Sequence, residues 1–308
     1  MRRVWRLLVA GLLAALPIGA QAAEPALTIP FDFSRHEIGV AVTVKGTPLF
    51  MLLDTGVEPS IIDLARARSL GLPVDRTQAG EGSGFGSGKA VVFEGTIKGL
   101  KIGGRAFADV ETLTLDTAAM SKGYGRPIDG VLGYSFLRDK VVLIDYTART
   151  VTILPNAMAA DAPTRPCRKR ASIPLRFLGD NHWPVIPQFR FGDATVSVTL
   201  DTGSSRRIGF YPLALQQKVI RDALHVTGTN TGAGARGSFT SRTAILSVPF
   251  GFGPFRLPPG ATVSILPANG QSDQVAANIG NPTLADMTPK LLLDYAGKTI
   301  GFFGDCGR

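Results

Sequence analysis

The chain has 308 residues, of which 44% are apolar, 8% aromatic and 19% charged, and its formal net charge is +9. That length suggests about two domains, and the apolar share excludes a mainly disordered chain, which pairs low hydrophobicity with high net charge. No internal apolar run approaches the ~20 residues a membrane-spanning helix needs, which excludes a polytopic membrane protein.

The N-terminus reads as a targeting segment. Arg2, Arg3 and Arg6 precede an apolar run over residues 7–16, and Ala20-Gln21-Ala22 supplies an A-x-A cleavage pattern. Residues 1–22 therefore read as a secretory signal peptide, with an uncleaved N-terminal anchor as the alternative. No cysteine lies near the cleavage point, so no lipid anchor is expected. Removal of the segment and its three arginines would leave a chain of net charge +6 without a membrane anchor, periplasmic or secreted.

Beyond residue 23 the pattern is mostly strand. Residues 38–44 are rich in branched side chains with partial alternation, and 91–93, 141–144 and 244–248 are short apolar runs bounded by turn residues. Two helices are predicted. One covers residues 62–70, with Gly71 past its end. The other covers 212–224, with Pro212 early and Gln and Lys along its length. Residues 157–170 are rich in Ala and Pro and then basic, and read as a linker between an N-terminal lobe, 23–156, and a C-terminal lobe, 171–308. The cations there, Arg165, Arg168, Lys169 and Arg170, read as a solvated linker in preference to a docking site for an acidic surface. Nowhere do basic and aromatic residues interleave as single-stranded nucleic acid requires, so no nucleic-acid partner is expected. Cys167 and Cys306 are the only cysteines. In an exported chain an even pair suggests a disulfide, here tying the tail to the start of the second half; two free thiols are the alternative.

The chain repeats itself once. Phe50-Met51-Leu52-Leu53 leads into Asp54-Thr55-Gly56, and Val198-Thr199-Leu200 leads into Asp201-Thr202-Gly203, 147 residues later. Val131-Leu132-Gly133 is answered by Asn278-Ile279-Gly280 at the same offset. Residues 141–146 are answered by 291–295, and each is followed by a turn and another apolar run. Four ordered matches at nearly constant spacing are the mark of a duplicated unit.

Each Asp-Thr-Gly closes an apolar strand. If a pseudo-twofold axis relates the halves, Asp54 and Asp201 meet at their interface. Two carboxyl groups about 3 Å apart cannot both ionise, and share one proton. The ionised member can take a proton from a water, and the protonated member can donate to an amide carbonyl. One such triplet alone would be an Asp-capped turn; the repeated pair predicts a dyad.

FMLLDTGVEPSII (residues 50–62) and VTLDTGSS (198–205) resemble the active-site motifs of pepsin-like and retropepsin-like aspartic proteases. DGVLGYSFLRDKVVLIDY (129–146) and NIGNPTLADMTPKLLLDYAGKTIGFF (278–303) resemble the later hydrophobic segments of the two lobes of that family. The resemblance implies a mainly β, bilobal fold: two pseudo-twofold-related, barrel-like lobes with few short helices. It implies Asp54 and Asp201 as the catalytic pair, Thr55 and Thr202 as cross-bonding residues beneath them, and Gly56 and Gly203 as shapers of the loops. It implies hydrolysis of peptide bonds by an activated water, a peptide or protein substrate in the cleft between lobes, a monomer, and no cofactor or metal. It also implies a flap. Gly80, Gly82, Gly84, Gly86 and Gly88 alternate with other residues and suit an extended hairpin tip, with Phe85 placed to rest on a bound peptide. An ordinary loop is the alternative.

Gly232-Ala233-Gly234-Ala235-Arg236-Gly237 matches G-x-G-x-x-G, a dinucleotide motif only where a helix follows. The Ser-, Thr- and branched-rich residues 238–248 read as a strand, so the segment is expected to be a counterpart hairpin. Two features depart from the family. Val57 follows the first triplet where the family has Ser, Thr or Ala, whereas Ser204 follows the second and can offer a hydroxyl to the carboxylate. A hydrogen bond to the charged form favours ionisation, so Asp54 is expected to hold the shared proton. Asn278 places a polar residue in an otherwise apolar segment. These departures keep open a second reading, a weakly active or inactive peptide-binding module on the same fold. Other chemistries fit poorly: His36, His182 and His225 are scattered, and neither H-E-x-x-H nor G-x-S-x-G occurs.

Overall fold

The structure, a computed structural model, describes residues 24–179, 181–268 and 273–307. The predicted signal peptide lies outside the described residues. The fold is mainly β, with few short helices.

The strands that lead into the two triplets become buried as they approach them. Thr47–Leu53 ends on five consecutive buried residues, the pattern of a strand covered on both faces. It pairs antiparallel with Gly39–Val44 and parallel with Gly130–Leu132. Ala194–Asp201 likewise pairs antiparallel with Trp183–Phe191 and parallel with Ala277–Gly280. In the first half the full sheet order is Gly80–Gly82, Ala90–Ile97, Val110–Leu115, Ser60–Asp63, Gly130–Leu132, Thr47–Leu53, Gly39–Val44, Leu100–Ile102 and Arg105–Ala106. In the second half it is Leu224–Gly234, Gly237–Leu246, Ala261–Ile265, Ile208–Phe210, Ala277–Gly280, Ala194–Asp201, Trp183–Phe191, Phe250–Phe252 and Phe255–Leu257, with Arg176–Leu178 added beside Trp183–Phe191. Strand for strand the two orders correspond. The repeat seen in four sequence matches therefore extends to the whole sheet.

A third sheet joins the halves. Leu27–Pro30, Thr150–Leu154 and Val141–Asp145 continue into Lys290–Asp294, Thr299–Gly304 and Lys169–Pro174. Its central pair, Val141–Asp145 against Lys290–Asp294, is formed by the two strands that matched in sequence. One apolar core runs through all three sheets, from Ile38, Met51 and Leu53 through Val142 and Leu291 to Leu200, Phe210 and Tyr295. The two carboxylate-bearing strands are thus anchored in one continuous core.

The segment 157–170 holds a 3-10 turn, Ala157–Ala160, and a short helix, Asp161–Thr164, before the strand Lys169–Pro174 begins. Cys167 is bonded to Cys306, and Arg168 beside it forms a two-pronged ion pair with Asp305 at 3.0 and 2.9 Å.

Both predicted helices are shorter than their sequence patterns. The first is Leu64–Ser69, because Ser60–Asp63 is a strand and the Asp63 carboxylate caps the helix by accepting from the Arg66 N–H. The second is broken into the 3-10 turn Pro212–Gln216 and the helix Lys218–Asp222. Gln217 between them is extended, with φ −79° and ψ 111°. Leu224 already belongs to a strand, paired with Leu246.

Candidate active site

Asp54 and Asp201 come together where the two halves meet. Beneath them the threonines make four hydrogen bonds across the interface, two of them to one another. The Thr55 N–H donates to Thr202 Oγ1 at 3.1 Å, and the Thr202 N–H donates to Thr55 Oγ1 at 3.1 Å. Each hydroxyl then donates across the interface at 2.9 Å, Thr55 to the Leu200 carbonyl and Thr202 to the Leu53 carbonyl. Both threonines are buried. A buried hydroxyl needs partners, and here each finds its partners only in the other half, so the network fixes the two strand ends against one another.

The glycines follow from how closely the carboxylates approach. A Cβ on Gly203 would lie 2.0 Å from Asp54 Oδ2. A Cβ on Gly56 would meet both carboxylates at 3.1 Å. Each glycine N–H donates to the aspartate two residues before it, Gly56 to Asp54 at 2.6 Å and Gly203 to Asp201 at 2.9 Å. The later motif glycines seat the same loops. A Cβ on Gly133 would lie 2.4 Å from the Val57 carbonyl, and one on Gly280 would lie 2.1 Å from the Arg206 carbonyl.

The second donor to Asp201 is Asn278, whose Nδ2 lies 2.6 Å from Asp201 Oδ2. Ser204 faces elsewhere: its hydroxyl accepts from the Arg206 N–H at 3.3 Å. At the position corresponding to Asn278 the first half has Val131, and at that of Ser204 it has Val57; both line the cavity beside Asp54. Burial, followed by the adjacent Asp201 charge, holds the Asp54 carboxyl well above the usual carboxylate range, against the opposing pull of the Gly56 N–H. The two carboxyls are within hydrogen-bonding reach.

Three further groups at the site carry no sequence motif. The Trp183 indole N–H, at the start of a second-half strand, donates to the Gly56 carbonyl at 2.9 Å and braces the Asp54 loop. Glu37 lines the cavity near Ser205, Asp201 and Arg206, and burial raises its pKa to about 7. Glu58 lines it on the side of Asp54, and burial raises its pKa to about 7 as well.

Two hairpins roof a cavity of about 570 Å³, within the range of small-ligand and peptide-side-chain sites. The first pairs Gly80–Gly82 with Ala90–Ile97, and the second pairs Leu224–Gly234 with Gly237–Leu246. The second carries the G-x-G-x-x-G segment at its tip, and a strand follows it. The tips bond to one another: the Arg236 N–H donates to the Phe85 carbonyl at 3.0 Å, and the Gly88 N–H to the Arg236 carbonyl at 2.8 Å. Gly86 has φ +128°, and a Cβ there would lie 2.2 Å from the Arg236 carbonyl carbon. Only glycine suits both that backbone and that approach. Gly84 shares the left-handed backbone, with φ +129°. Phe85 is stacked on Phe239 at 4.7 Å, so its resting partner is the opposite hairpin.

The arrangement has the parts of an acid–base hydrolytic centre: two carboxyls in reach of one another, one of them biased towards its protonated form, under a closed pair of glycine-rich tips. Residues 40–136 match the family model described as aspartyl protease. That stretch contains Asp54-Thr55-Gly56 and Val131-Leu132-Gly133. No curated protein matches the chain.

Proposed function

We propose that the chain is an aspartic endopeptidase whose two halves each supply one carboxyl, Asp54 and Asp201. The observation that carries this reading is the reciprocal threonine network, which brings two Asp-Thr-Gly turns together with their carboxyls in reach of one another. The family match over residues 40–136 supports the same class of activity. In this mechanism Asp201, held by the N–H groups of Gly203 and Asn278, is the ionised member. It takes a proton from a water as the water oxygen attacks the amide carbon. Asp54 gives its proton to the carbonyl oxygen, and the product is a tetrahedral diol. Collapse of the diol returns a proton to the dyad, breaks the C–N bond and delivers a proton to the departing nitrogen. The cycle ends with one proton on the pair, as it began, and uses no cofactor. The peptide would lie between the dyad and the hairpin tips, so the tips must part to admit it. The reading extends to a monomer in the periplasm or outside the cell, and the Cys167–Cys306 disulfide is in keeping with an oxidising compartment.

The test is cleavage of a diverse peptide library from pH 3 to 8 by the mature chain and by Asp201→Asn. Cleavage by the parent that disappears in the variant is the expected result. Equal cleavage by both would exclude the dyad. A folded parent that binds peptides and cleaves none would favour the peptide-binding module.

A further inference from the structure

Two carboxyls besides the dyad line the cavity, and their surroundings differ. Glu37 faces Ser205 and the guanidinium of Arg206, a cation supplied by the chain itself. Glu58 feels the guanidinium of Arg138 in the same way, but no side chain donates a hydrogen bond to it among the described residues. Its Oε2 is buried and accepts no hydrogen bond among the described residues. His182 places its Nδ1 3.8 Å from that oxygen and is charged only when protonated. That Nδ1 is itself buried without a hydrogen-bond partner among the described residues, and its ring is stacked on Tyr134 at 4.0 Å. The other charged groups near Glu58 are Arg138 and Glu111, and they are committed to each other at 3.1 Å. Lone buried carboxylate oxygens are costly unless a donor reaches them.

We infer that Glu58 is a specificity-determining residue of the cleft, where it binds the ammonium or guanidinium group of a basic side chain in the peptide substrate. The inference rests on the protease reading above. Geometry supplies the reason for that choice: Glu58 lines the cavity four residues beyond Asp54, its Oε2 accepts no hydrogen bond among the described residues, and a cationic donor brought in by the substrate would complete it. An apolar side chain would leave it buried and unpaired. The chain as a whole is positively charged, so attraction of a basic peptide depends on this local feature and not on the overall field. Burial raises the Glu58 pKa to about 7 in the unliganded chain. A cation binds its ionised form, so preference for a basic side chain is strongest above that value and fades below it.

The test uses octapeptides with a neutral apolar frame in which each position in turn is lysine or norleucine. Binding is measured to the full chain carrying Asp201→Asn, and cleavage is measured with the parent. At pH 8 we expect lysine to be preferred about tenfold at one position or at two neighbouring ones, as a charge-assisted hydrogen bond gives. The ratio should approach one at pH 5, and approach one at both pH values when Glu58→Gln is added. Glu37→Gln should leave the ratio in place. Absence of a lysine preference at every position, or its persistence in Glu58→Gln, overturns the assignment. If Glu58→Gln does not fold, Glu58→Asp serves instead. It draws the carboxylate back by one methylene, so the lysine preference at pH 8 should fall, and an unchanged preference overturns the assignment. Binding preference without cleavage by the parent would count against the protease reading while supporting the role of Glu58. Cleavage without preference would do the reverse.

Discussion

The first half and the second half share nine strands in one order, yet they treat their carboxyls differently. Asp201 accepts from the Gly203 N–H and from the Asn278 amide. Asp54 accepts from the Gly56 N–H, with Val57 and Val131 on the cavity wall where the second half has Ser204 and Asn278. The contrast continues one layer down. Asn281 donates to the Thr202 carbonyl at 2.5 Å and accepts from the Tyr146 hydroxyl at 2.9 Å. In the first half the corresponding position is Tyr134, and the buried Tyr295 hydroxyl, counterpart of Tyr146, has no hydrogen-bond partner among the described residues. A duplicated scaffold gives nearly symmetric backbone geometry. Two carboxyls within reach of one another share one proton in any case, and the side-chain differences between the halves bias which of them holds it.

The largest effects should come from removing either carboxyl. Asp54→Asn and Asp201→Asn should each lower kcat about a thousandfold or more in a peptide-cleavage assay, since both members are needed for proton transfer. Next comes the spacing of the two loops. Gly203→Ala drives a methyl into Asp54 Oδ2, whereas Gly56→Ala creates a contact a few tenths of an ångström too short. We expect kcat to fall about a hundredfold for Gly203→Ala, the scale of a misplaced reacting group, and clearly less for Gly56→Ala. Equal losses would mean that the halves are spaced more evenly than described.

A smaller pair of changes exchanges the polar environments. Val131→Asn would give Asp54 the donor that Asp201 has, and should move the alkaline limb of the pH–rate profile to lower pH by about one unit. Asn278→Val should move the acid limb to higher pH by a similar amount, because the charged form loses a donor. Val57→Ser should leave the alkaline limb in place, because Ser204, its counterpart, turns its hydroxyl to the backbone of its own loop. Limbs that stay in place in both Val131→Asn and Asn278→Val would break the comparison.

The mildest effect is on stability. The Glu37 carboxyl is raised from 4.5 to about 7 in the folded chain, by burial above all. Between those values the folded state holds a proton that the unfolded state has released, so stability is fullest below pH 4.5 and falls as pH rises towards 7. Glu58 is raised in the same direction. Tm should therefore decline from pH 5 to pH 8, and Glu37→Gln should flatten the decline when melting is followed by circular dichroism.

Much of the fold and the site is legible in the sequence because duplication leaves a measurable offset. The spacing of 147 residues by itself ties Asp54 to Asp201 and Gly133 to Gly280. The same offset pairs Val131 with Asn278, and a polar residue in an apolar strand is the visible trace of the second donor to Asp201. Ser204 is the more obvious donor on sequence grounds, but its hydroxyl is engaged by the backbone of its own loop. Trp183, Glu37, Glu58 and Arg206 are not legible as site residues. They reach the cavity from loops and strand ends whose meeting depends on the folding of both halves, and no spacing rule connects them. The helix pattern over 212–224 misleads because its composition is favourable throughout, while the extended backbone at Gln217 and the cross-strand pairing of Leu224 are tertiary effects.

The most direct measurement is the titration of the Asp54 carboxyl by NMR in a chain labelled with carbon-13 at aspartate carboxyls, with Asp54→Asn to assign the signal. We expect the Asp54 signal to stay at its protonated position well above the usual carboxylate range in the parent. In Asp201→Asn it should fall part of the way back, because the neighbouring charge is gone and the burial remains. An Asp54 carboxyl that titrates near pH 4 in both proteins would contradict a shared proton and an inequality between the halves.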